Sequence, residues 1–103
     1  MKIPKTIIIG GQKVKIKFEA FKDYGGYTFG QYFHDDKLIQ LNTDLTERDI
    51  IETIRHEMME ASLLISGVGF SERYEQEAVV RCMEEIFFPA WEATAKKINF
   101  DDS

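Results

Sequence analysis

The chain has 103 residues, 44% of them hydrophobic, and a formal net charge of -5. That length suits one domain with a real core, residues 1–103 folding together, and an aromatic share of 13% excludes a disordered chain. The acidic balance argues against a surface that tracks a phosphate backbone, so no nucleic-acid partner is expected. Every apolar run falls short of the roughly 20 residues of a membrane span, so no membrane partner is expected.

Thr6 to Ile9 is short and β-branched, Gly10-Gly11 tolerate positive φ, and Val14, Ile16 and Phe18 alternate with Lys13, Lys15 and Lys17, which predicts a hairpin with a wet, basic outer side. The same glycines interrupt Ile7-Ile8-Ile9, so no signal peptide is expected and the chain should stay in the cytoplasm. The lone Cys82 cannot form an internal disulfide or a thiolate metal site; it fits a reducing compartment and a place in the core. A loop is predicted over 20–26, a strand over 27–33, a turn at His34-Asp35-Asp36-Lys37 and a last strand over Leu38-Ile39-Gln40-Leu41. His34, Asp35 and Asp36 offer metal-ligand atoms, but adjacent residues in a turn rarely converge on one ion. Residues 1–45 therefore read as a small, mainly antiparallel sheet.

From Thr46 the pattern becomes helical. Thr46 is placed to cap, Asp49 is the third helical position, and the run from Glu47 to Ser66 contains neither Gly nor Pro before Gly67. Ser71 offers a second cap for a helix reaching about Lys97, which Pro89 should kink or split near Phe88. The fold class expected is α+β, with the sheet packed on two C-terminal helices in 46–103.

The chemistry-bearing pattern is His56-Glu57-Met58-Met59-Glu60. At about 100° per residue, His56 and Glu60 share a face one turn apart, which suits two ligands of one cation, and Glu57 projects about a quarter turn away. That offset suits a carboxylate that takes the proton of a metal-bound water. Ile50, Ile54, Met58, Ala61 and Ile65 form the opposite, core-facing stripe. A His and a Glu four apart are also a common solvated pair. A third ligand can come from the second helix, where Glu77 and Glu84 stand two turns apart on one face. If the helices form an antiparallel hairpin, Glu77 falls opposite the motif, although both carboxylates equally suit solvent. Phe87, Phe88 and Trp91 are expected in the core or at a partner-facing patch.

The chain resembles a family of small phage- and prophage-encoded zincin-like proteins, related at a distance to the ImmA/IrrE-type metallopeptidases. The resemblance rests on the lysine-rich hairpin, the strand Leu38 to Leu41, the segment Ile51 to Ala61 and the segment Glu75 to Glu85. It implies a minimal zincin-like fold, His56 and Glu60 as metal ligands, Glu57 as general base, Glu77 as third ligand, and Glu84 as an alternative ligand or a support for one. It also implies a peptidase-like hydrolase in the host-cell cytoplasm, acting on a peptide or protein. Where peptidases of this type place a second histidine, this chain has Glu60. One imidazole and two carboxylates make a harder site, suited to Zn2+ and also to Mn2+ or Fe2+, with a weaker Lewis acid. The alternative expectation is a catalytically inactive zincin scaffold that binds a host or phage protein. A further one is an oligomer formed through the second helix and Trp91.

Overall fold

The computed structural model describes residues 1–22, 27–70 and 75–99, the side chain of Phe70 excepted. Four strands, β1 (Thr6–Ile9), β2 (Gln12–Phe18), β3 (Gly30–Phe33) and β4 (Leu38–Leu41), form one sheet in the order β1-β2-β4-β3. Gly10 and Gly11 both have positive φ, 54° and 79°, the backbone that a two-residue hairpin turn requires. The β1–β2 and β3–β4 pairings are antiparallel. The β2–β4 pairing is parallel, because β3 occupies the outer edge and β4 inserts between it and β2. The sheet is thus mixed, though mainly antiparallel. The strand expected over 27–33 forms only from Gly30. The predicted loop falls partly, and the predicted Ser71 cap wholly, outside the described residues.

Helix α1 spans Glu47–Ile65, and Thr46 caps it: the Asp49 amide donates to Thr46 Oγ1 at 3.1 Å. Gly67, at φ 87°, follows the C-cap Ser66, and a 3-10 turn runs over Val68–Phe70. Helix α2 (Gln76–Cys82) leads through a π turn (Met83–Phe87) into α3 (Phe88–Lys97). Pro89 neither splits nor ends the helix. It has no N–H to give, and one wide turn placed just before it, with the Phe88 amide reaching Met83 O, carries the chain past the missing bond. Among the described residues, no helix is long and apolar enough to cross a membrane.

The core lies between the inner sheet face and the helices. Ile7, Ile9, Val14, Ile39 and Leu41 meet Ile54, Met58, Ala61 and Phe87, all essentially inaccessible to solvent. The stripe expected on α1 is the buried one, with Ile50 and Ile65 partly covered at its ends. Cys82 is buried, its thiol 3.4 Å from Ser62 O and from Ser66 Oγ, which seats α2 against the C-terminal half of α1. Arg55 lies over the Trp91 ring, 6.0 Å from its centre. Lys13, Lys15 and Lys17 point outward from β2, away from the core, as their alternation with Val14 and Ile16 requires.

Candidate metal centre

The polar side of α1 faces the free edge of β3. Close approach is possible because β3 begins with Gly30: a Cβ there would lie 2.6 Å from Thr53 Cγ2 and 3.0 Å from Gln40 O. Phe29, Gly30 and Gln31 on one side and Glu52, Thr53, His56, Glu57 and Glu60 on the other line an open cleft of about 580 Å³.

His56, Glu57 and Glu60 bring one ligand atom each within 4.8 Å of one another. His56 Nε2 is 3.4 Å from Glu60 Oε1 and 4.0 Å from Glu57 Oε2. His56 and Glu60 are exposed, whereas Glu57 retains 4% of its accessible surface. Glu57 is the sidestep from the ligand face that the helical spacing predicted, and it turns toward β3. Its Oε1 accepts the Tyr32 amide at 3.1 Å, an amide that the edge strand leaves unused by β4. Among the described residues, no buried side-chain nitrogen or oxygen lacks a partner.

Burial pushes the Glu57 carboxyl up to about 8, and the hydrogen bond and negative charge of Glu60 push the same way, against the smaller opposing effect of the Tyr32 amide. The Glu57 carboxyl therefore holds its proton more tightly than an exposed glutamate does. The Tyr32 hydroxyl, itself shifted upward by burial, is 2.9 Å from His34 Nδ1, so His34 supports the strand that holds Glu57. His34 otherwise belongs to the expected turn, where its carbonyl accepts both the backbone amide and the ammonium of Lys37.

Glu77 and Glu84 are exposed and stand outside this group. Glu77 receives Arg81 at 3.5 Å across one turn of α2. The reason is rotational. Helix α2 packs through Cys82 on Ser62 and Ser66, which lie roughly a third of a turn round α1 from His56 and Glu60. Thus β3 and α2 flank α1 on opposite sides, and the site is shared with the strand rather than with the second helix. Tyr32, whose amide holds Glu57, carried no signal in the sequence beyond its place in a strand.

The donor chemistry fits a small divalent cation: one imidazole and two carboxylates, close together on a helix face that opens to solvent. The chain matches no family model, no curated protein and no solved structure.

Proposed function

We propose that the chain is a metal-dependent hydrolase of peptide-like bonds, with His56 and Glu60 holding a divalent cation and Glu57 as the proton acceptor. The observation that carries this reading is the buried Glu57 carboxyl, fixed by a strand amide beside two exposed donors in an open cleft. A bound Zn2+, or Mn2+ or Fe2+ at so hard a site, supplies Lewis-acid polarisation and a more acidic water.

The residues of the chain do the rest. Tyr32 N–H holds Glu57 Oε1, which leaves Oε2 on the His56 side of the carboxyl, where it can take a proton from an attacking water and return it to a leaving amine. Burial and Glu60 raise the proton affinity of this carboxyl, which suits return of the proton to the leaving amine, and a cation held by His56 and Glu60 would lower that affinity so that the carboxylate can accept the proton of the water first. The cleft is open to solvent, which leaves room for a peptide or protein substrate. The resemblance to phage zincin-like proteins favours the same reading.

A second reading follows from the donor count. With Glu77 turned away, a third protein ligand among the described residues must be Glu57 itself, and a Glu57 that ligates is no longer a free base. In that case the chain is a metal-bound scaffold that holds a partner protein without cutting it. Elemental analysis of protein purified without chelator, with digestion of a denatured protein substrate by wild type and Glu57→Gln, separates the two. The hydrolase retains about one ion per chain and loses cleavage on Glu57→Gln. Absence of an ion, or cleavage that survives Glu57→Gln, overturns the hydrolase reading.

A further inference from the structure

Glu60 stands on the wall between two hollows. One is the cleft just described, and the other, of about 220 Å³, is lined by Tyr32, Glu60, Leu63, Leu64 and Gly69. We infer that this second hollow seats an aliphatic side chain of the substrate, of leucine size, next to the bond under attack. The inference rests on the hydrolase reading and adds a substrate preference to it.

The hollow is built from the helix that carries the donors. Leu63 and Leu64 follow Glu60 by three and four residues, so they continue its face by one turn. Tyr32 reaches the same hollow from β3 while its amide holds Glu57, which places the hollow and the proton acceptor on two ends of one residue. Gly69 closes the far side. A Cβ there would come within 2.8 Å of Leu64 Cδ2 and 3.3 Å of the Leu63 carbonyl carbon, so glycine lets the 3-10 turn lie close against the two leucines without displacing the Leu64 side chain.

Charge and size choose the occupant. Among the described residues Glu60 is the one charged residue in the lining, and it faces the Glu57 carboxyl, so an acidic side chain is repelled. A basic one would have to compete for Glu60 with the cation that His56 and Glu60 are proposed to hold. Two leucines and a tyrosine ring leave an apolar group as the remaining fit. At about 220 Å³ and open to solvent at the edge of the cleft, the hollow has room for a branched aliphatic side chain.

The test uses the full-length, zinc-loaded chain labelled for amide NMR and titrated with N-acetyl-leucine N-methylamide and its alanine, phenylalanine and aspartate counterparts. The leucine probe is expected to shift the amides of Leu63, Leu64 and Gly69 and to bind at least about tenfold tighter than the alanine probe. Leu63→Trp should abolish those shifts, and Leu63→Ala should move the preference toward the phenylalanine probe, each variant being checked for folding by circular dichroism. Equal affinity for all probes with the wild-type chain, or shifts confined to other residues, overturns the inference even if neither variant folds. Digestion of a peptide library in parallel keeps the two readings apart. Cleavage with no aliphatic preference beside the cut overturns the hollow's assignment alone. No cleavage, with the leucine probe seated at Leu63, Leu64 and Gly69, overturns the hydrolase reading and leaves the hollow as an aliphatic-binding site.

Discussion

Replacing Glu57 by glutamine should change the way stability depends on pH in the chelator-treated protein. In the folded chain the Glu57 carboxyl is raised to about 8, whereas the unfolded chain keeps it near 4.5. A carboxyl raised by folding binds its proton more tightly in the folded state. Its contribution is therefore fully present below pH 4.5 and is lost as pH rises toward 8. Allowing for solvent at the mouth of the cleft, the loss amounts to about 2 kcal/mol. Glutamine keeps an oxygen for the Tyr32 amide and a donor for Glu60, but it cannot ionise. Urea denaturation of both proteins from pH 5 to pH 9 isolates the effect, because His56, Glu60, Tyr32 and His34, the other titratable groups around the carboxyl, are common to both. The difference between the two stabilities should shift by about 2 kcal/mol in favour of Glu57→Gln across that interval. Parallel curves, or a glutamine variant that loses ground as pH rises, would refute the argument that the buried carboxyl carries a proton at neutral pH.

Other outcomes follow from the same geometry. His56→Ala and Glu60→Ala should each weaken zinc binding by at least about tenfold in a competition titration, while Glu77→Ala, which removes only the exposed contact with Arg81, should leave it unchanged. Gly30→Ala should destabilise the fold by about 1–3 kcal/mol, read by thermal melting, because its methyl group collides with Thr53. Adding Thr53→Ala should recover part of that loss, the contact with Gln40 O remaining. Thr46→Ala removes the acceptor of the Asp49 amide and should cost about 1 kcal/mol in urea denaturation.

What the sequence made legible was local. The Thr46 cap, the end of α1 before Gly67, the Gly10-Gly11 hairpin and the core stripe of α1 follow from residue types at fixed spacing. So does the shared face of His56 and Glu60, because four residues make about one helical turn. The parallel β2–β4 pairing was not legible, since alternation of side chains sets the buried face of a strand and not its neighbour. The position of Glu77 depended on how α2 is rotated against α1. Counting residues back from a turn gives the height of a side chain along a helix pair but not its azimuth, and the Cys82 contact with Ser62 and Ser66 decides that azimuth. The burial of Glu57 likewise required knowing that β3 is an edge strand whose Tyr32 amide points at α1.

That amide has one more consequence. A short strand at the rim of a sheet is a place where another chain can add itself, and such rims are commonly guarded by charge, proline or a covering element. Here the guard is the Glu57 carboxyl, which occupies the Tyr32 donor at the middle of β3. The group proposed for proton transfer is thus also the one that covers this donor of the strand rim. Alanine at position 57 would leave the Tyr32 donor uncovered, whereas glutamine keeps it covered, so the two variants should differ in how readily they aggregate.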